Sequence, residues 1–171
     1  EKKLVSCVSV GWSLGGRTTF PRLHTAAGVR LTPSAIASQT RVSGFVNTQP
    51  DDDGALRRLP LLIRHEGVIH ANLALATVMQ SMGIVSGSIE SNANGLSIQI
   101  GDHRIQIDET GFATLRFNGK PRLYGSISAV DILNGKFREA AIKGKIVFVG
   151  SSADGLYDLQ QQDSDLPVPG L

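Results

Sequence analysis

Residues 44–62 read GFVNTQPDDDGALRRLPLL, and how this stretch divides decides the organisation of the chain. Phe45 and Val46 lead in, Asp51-Asp52-Asp53-Gly54 interrupts, and Leu59-Pro60-Leu61-Leu62-Ile63 leads out. Asp bonds its own backbone in turns and Gly reaches positive φ without a Cβ clash, so the interruption carries turn chemistry. Arg57 and Arg58 follow within reach of the carboxylates. The pattern predicts a strand over 42–48, a tight acidic turn and a second strand over 59–65.

The same aspartates raise the question of calcium. With Gly54 at the sixth position of a calcium loop, Asp51 and Asp53 fall at the third and fifth, but Gln49 and Pro60 take the first and twelfth. The bidentate Glu is missing. The turn therefore reads as structural, tied down by Arg57 or Arg58.

Upstream, 4–10 (LVSCVSV) alternates and is β-branched, which predicts a strand, and the Gly- and Thr-rich 11–21 reads as a loop. Thr32 as N-cap with Pro33 at the first position predicts a short helix over 34–39. Downstream, Ala71, Leu75, Val78 and Met82 recur at helical spacing and Gly83 can close a helix over 71–82. Short alternating strands fit 84–89, 96–100, 104–107 and 112–117, with turn signals at Asn94-Gly95, Gly101-Asp102 and Asn118-Gly119. Ser126 or Ser128 can cap a helix running to Leu133 and closed by Asn134-Gly135. The continuous apolar run 145–149 (KIVFV) reads as a strand buried on both faces. Together these predict an α/β fold, a mixed sheet with flanking helices and a hairpin-rich middle.

The chain has 171 residues, 41% of them hydrophobic and 19% charged, enough for one ordered domain with a substantial core. Net charge is +2 and aromatics are 5%. The basic residues are scattered, with Lys2-Lys3 and Arg57-Arg58 the only adjacent pairs, so no nucleic-acid stripe is present. Cys7 is the only cysteine, which excludes an intramolecular disulfide and a Cys-based zinc site. No run approaches the ~18 apolar residues of a membrane span. The chain starts without Met and stops as an apolar run begins at 167–171, the expectation being a piece of a longer protein.

Three motifs suggest chemistry. Gly11-Trp12-Ser13-Leu14-Gly15 matches the G-x-S-x-G nucleophile elbow, which needs Ser on a sharp strand-to-helix turn and a His base later in the chain. Arg17-Thr18-Thr19-Phe20-Pro21 makes a poor helix, and His103 is the last histidine. A loop is the preferred reading, with a serine hydrolase using Ser13 as the enzymatic alternative. His65-Glu66-Gly67-Val68-Ile69-His70 holds one residue too many for H-E-x-x-H. At that spacing two imidazoles diverge by about 140° on a helix and point to opposite faces of a strand, so a hairpin turn without metal is expected. Gly150-Ser151-Ser152-Ala153-Asp154-Gly155 follows the expected buried strand, where ligands commonly bind in α/β folds. It lacks the Lys-Ser/Thr of a phosphate loop, and no cofactor is expected. Gly150, Ser151, Ser152 and Asp158 are the candidate ligand-binding residues.

Several pieces form one ordered pattern. They are Gly44-Phe45-Val46-Asn47, Asp51-x-Asp53-Gly54, Arg57-Arg58-Leu59-Pro60-Leu61, Leu73-Ala74-Leu75 and Ile107-Asp108-x-x-Gly111. Ser128-Ala129-x-Asp131-Ile132-Leu133-x-Gly135 and Gly144-Lys145-Ile146-Val147-Phe148-Val149-Gly150, with Gly155-Leu156-x-Asp158, complete it. This pattern resembles the CHASE domains of the second type, the cyclase- and histidine-kinase-associated sensory extracellular domains. Asn47, Asp51, Asp53, Gly54, Arg57, Pro60 and Asp131 are then structural motif residues. The chain differs from the family in having Asn72 where Ser is usual, and in the late position of Pro167.

The resemblance implies a non-catalytic sensor on the periplasmic or extracellular face of a membrane, the carboxy-terminal portion of such a domain. Its parent would be anchored by flanking helices and carry an adenylate or guanylate cyclase, a histidine kinase or a Ser/Thr kinase. The implied partner is a small-molecule or protein ligand, with a homodimer or a dimerisation spacer as a further reading.

Overall fold

The computed structural model describes residues 11–15, 22–29, 33–40, 42–92, 95–116, 125–150, 159–160 and 168–169. In chain order its elements are β1 (Gly11–Gly15), α1 (Ser34–Ala37), β2 (Arg58–Pro60), β3 (Leu62–His65), β4 (Val68–Ala71) and α2 (Leu73–Ser81). They continue with β5 (Ser86–Asn92), β6 (Gly95–Ile100), β7 (His103–Ile107), β8 (Phe112–Thr114), α3 (Ala129–Leu133) and a 3-10 turn at Glu139–Ala141. Two short paired strands, Leu159–Gln160 and Val168–Pro169, close the list.

The main sheet runs in the order β1-β5-β6-β7. Strands β5, β6 and β7 form an antiparallel meander, while β1 lies parallel to β5 with Gly11 opposite Ser86. The sheet is thus mixed and the class α/β, as the sequence predicts. Tight connections account for the meander. Gly95 opens β6 at φ 108° and Gly101 carries φ 53° between β6 and β7, values that cost a residue with a Cβ. Register then places Ile89 opposite Ile98 and Leu96 opposite Ile107. Directly opposed residues share a face, so these side chains make one apolar surface. Ile98 is fully buried at 0% exposure.

Helix α2 covers that surface. Asn72 starts it, its side-chain oxygen accepting the Leu75 N–H at 2.8 Å, an N-cap interaction that satisfies one of the free first-turn donors. Gly83, at φ 68°, ends it, and the Ile84 N–H donates to the Met79 carbonyl at 2.9 Å. Leu75, Ala76 and Met79 face inward and join Leu23, Leu61, Leu62, Ala71, Ile89, Ile98, Ile100 and Ile107 in one cluster.

The β3–β4 hairpin lies beside this body. Its turn residues Glu66 and Gly67 have φ of 48° and 80°, the signs of the two-residue turn that matches strand twist. One side of β3 receives residues 24–26 through a parallel bridge at Thr25–Arg64. Beyond β4, Phe45 bridges Asn72, donating to the Ala71 carbonyl at 3.2 Å and accepting from Leu73 at 2.8 Å. Gly44 allows that approach: a Cβ there would stand 2.5 Å from backbone atoms of Leu73.

The structure corrects several expectations. Residues 11–15 are a strand and not a loop, because β5 offers a parallel ladder that outweighs the low strand propensity of glycine. Ser13 therefore sits within an extended strand and not on the sharp turn a nucleophile elbow needs, which removes the geometric case for a hydrolase. No strand forms over 42–48. Asn72 opens α2 immediately after the single bridge to Phe45, so the ladder ends there, and Val46 is left 73% exposed. The region expected as one strand over 59–65 is two, β2 pairing with β8 and β3 with β4.

Helix α1 is capped by Pro33, which has no side-chain acceptor, and is one turn long. On α2 the buried face is Leu75, Ala76 and Met79, whereas Val78 and Met82 are exposed. Apolar residues extend beyond the buried face to Leu73, Val78 and Met82, so periodicity alone did not fix its rotation. The run 145–149 is not a buried strand. Among the described residues no strand pairs with it, and Val149 is 95% exposed. The expected strand over 4–10, Thr32, and the turn at Asn118-Gly119 lie outside the described residues.

Candidate functional site

One place gathers residues that the sequence singles out, and a second is a groove along α2. In the first, the acidic turn is closed by its own backbone, Gly54 donating to the Asp51 carbonyl at 2.8 Å and Asp51 to Ala55 at 2.9 Å. Arg57 grips Asp53 with both terminal nitrogens at 2.9 and 2.7 Å, the fork geometry of a guanidinium on a carboxylate. Arg58 holds Asp51 Oδ1 through Nε at 3.0 Å and Nη2 at 2.7 Å. Its other terminal nitrogen lies 3.5 Å from Asp108, and its guanidinium stacks over Phe112 at 5.7 Å. Pairing of β2 with β8, Pro60 opposite Phe112, brings these sequence-distant residues together.

The electrostatics follow from that geometry. Hydrogen bonds from Arg57 and from the Ala55 N–H hold the Asp53 carboxyl down at about 2. The bonds to Asp51, and then its charge, raise Arg58. Burial pushes Asp108 upward, but the Thr110 hydroxyl and the N–H groups of Phe112 and Thr110 outweigh it and leave the carboxyl below its ordinary range. All three groups are thus fixed in their charged forms at neutral pH. The carboxylate oxygens that a calcium ion would need already accept from arginine, so the geometry makes this a clasp between two turns.

Of the named motif residues, Asp51, Asp53, Gly54, Arg57 and Pro60 belong to the clasp. Asn47 is exposed on the segment leading into it, and Asp131 lies apart in α3, half-buried. The contributions of Asp108 and Phe112 were not read from the sequence. Their signal is the Asp108-Glu109-Thr110-Gly111 turn, whose side-chain-to-backbone bonds mirror those of the first turn.

The second place is a groove of about 390 Å³ along α2. Leu73, Ala76, Thr77, Gln80 and Ser81 form one wall, and Thr40, Val42 and Ile146 line the rest of this open groove. Its mixture of apolar floor and a few hydroxyl and amide groups is the composition of small-molecule sites. Ile146 precedes Gly150 by four residues, in an exposed segment. Ser151, Ser152 and Asp158 lie outside the described residues. Sequence reading missed the groove because α2 was placed by Ala71, Leu75, Val78 and Met82, a spacing that mixes its buried and exposed faces. The exposed Leu73 beside Thr77 and Gln80 is the signal that could have shown it.

A comparison with protein families decides the identity of this assembly: the model of the CHASE2 domain matches residues 7–171. The chain belongs to the CHASE2 domain family. CHASE2 domains are extracellular sensory domains of signalling receptors and are not themselves catalytic. No curated protein and no solved structure matches the chain. Among the described residues of this CHASE2 domain, no helix is long and apolar enough to cross a membrane.

Proposed function

We propose that this domain is the periplasmic or extracellular input module of a membrane-anchored receptor, passing a ligand-dependent conformational change to a cyclase or to a histidine or Ser/Thr kinase output domain. Family membership supports the sensory role. The observation that supports the mechanism is that Ile146 lines the groove on α2, so a residue of the segment leading toward Gly150 stands beside a ligand-sized space. A ligand shifts an equilibrium only by its difference in affinity for two conformations. Here one conformation seats Ile146 against α2 and the other releases it. Gly150, Ser151, Ser152 and Asp158 would complete the ligand contacts at the end of that segment, and the ligand is a small molecule with an apolar body and a few polar groups.

The test is a thermal-shift screen of small metabolites against the domain, repeated with Thr77→Ala and Ser152→Ala. A ligand that binds the native state must raise the midpoint, by ~2.7 kcal/mol of added stability at a hundredfold excess over Kd. A hit abolished by either substitution supports the reading, and silence across a broad library counts against it. A second reading, a dimerisation spacer, draws on the exposed apolar run Ile146, Val147, Phe148 and Val149. Sedimentation analysis decides it: a dimer dispersed by Phe148→Ser would favour the spacer.

A further inference from the structure

The hairpin turn at Glu66-Gly67 brings together two histidines that a linear reading separates. In the β3–β4 register Ile63 faces His70 and His65 faces Val68. Opposed residues share a face, as do residues two apart on one strand, so His65 and His70 are diagonal neighbours on the same face. Their ring centroids lie 6.4 Å apart, tilted by 50°.

The chemistry of each ring favours ligation. His65 Nδ1 lies 2.9 Å from the Ala26 carbonyl oxygen. A carbonyl can only accept, so Nδ1 carries a proton and Nε2 is the ring atom left for a metal ion. This is the outer-shell arrangement that orients imidazole ligands and raises their basicity. His70 is half-buried, and burial together with the neighbouring His65 lowers its pKa, keeping the ring neutral. Both side chains stand on a two-stranded ladder whose backbone is fixed by the turn.

We propose that His65 and His70 form a divalent transition-metal site for zinc-class cations, the imidazole-preferring borderline ions. Two rings on one tetrahedral ion with bonds of about 2.0–2.1 Å sit roughly 5 Å apart, so side-chain rotation closes the remaining gap without moving the strands. Among the described residues no cluster of three or more His, Cys, Asp or Glu accompanies the pair. Water or an anion fills the other positions, which makes the site open and exchangeable. The proposal does not rest on the sensory reading: a metal site on the hairpin stands whether or not the groove binds a ligand.

The experiment titrates the folded domain with zinc chloride while following histidine ring resonances and metal content. The expected result is one zinc per chain, shifts confined to His65 and His70, and a raised melting midpoint. His70→Gln should weaken binding at least tenfold and remove the thermal shift, whereas His24→Gln and His103→Gln leave both unchanged. His65→Gln should act like His70→Gln, and the ring spectra of the parent domain give the assignment even if loss of the Ala26 bond unfolds it. Equal affinity in the His70 variant, shifts centred on His24 or His103, or one zinc per two chains would overturn the proposal.

Discussion

The body built by β5, β6, β7 and α2 and the arm formed by residues 125–150 are both rich in apolar side chains, yet they use them in opposite ways. In the body Ile89, Ile98, Ile100, Leu75 and Met79 vanish from solvent. In the arm no residue is buried, and Val130, Leu133, Ile146, Val147, Phe148 and Val149 all stand out. Helix α3 is five residues long, has no side-chain cap bond and rests on local backbone bonds. A helix that short is marginal without tertiary packing. The contrast is one of packing: the body buries its apolar side chains and the arm leaves them at the surface.

The most severe way to break the comparison is at the body's centre. Ile98→Ala should cost about 2–5 kcal/mol through lost burial and a residual cavity, read as a fall in urea midpoint. An effect under 1 kcal/mol would mean that the sheet is not the stabilising unit. Gly44→Ala comes next, at about 2 kcal/mol or more, because its Cβ meets Leu73 backbone that cannot rotate away. Asn72→Ala removes the α2 N-cap and should cost about 1 kcal/mol.

The clasp makes a smaller, pH-dependent contribution. Asp53 is held near 2 in the folded chain against an ordinary 3.8. Its stabilisation is therefore complete above pH 3.8 and disappears as pH falls toward 2. Asp53→Asn should flatten the acid side of the stability curve in that window and leave the curve's shape unchanged between pH 5 and 7. In the arm, Val149→Ser should change stability by no more than about 0.5 kcal/mol. A larger loss would show that the arm is packed after all, and would sharpen where the boundary of the body lies.

The same division explains what was legible in the sequence. Local signals recovered local structure: the glycine turns marked the meander, Gly83 marked the end of α2, and Glu66-Gly67 marked a hairpin. Elements set by distant partners were not readable. Gly11–Gly15 becomes a strand only because β5 lies beside it, and 145–149 fails to become one because an apolar run is a buried strand only when neighbours supply ladders. The clasp was half legible. Asp51, Asp53, Arg57 and Arg58 lie close in sequence, but Asp108 and Phe112 reach them only through the β2–β8 pairing. The groove was only faintly legible: Thr77 and Gln80 mark a polar side of α2, but Thr40, Val42 and Ile146 reach it only through the fold.

The parallel pairing of β1 with β5 carries a consequence for the order of assembly. Strands β5, β6 and β7 follow one another through short turns, so their contacts form over small loops and can nucleate early. Joining Gly11 to Ser86 instead closes a loop over residues 16–85, and the entropy of that closure is repaid only after the meander exists to receive the strand. β1 should therefore dock last and leave first. Trp12→Ala, which removes the side chain that β1 packs against the core, would then speed unfolding while leaving the refolding rate nearly untouched.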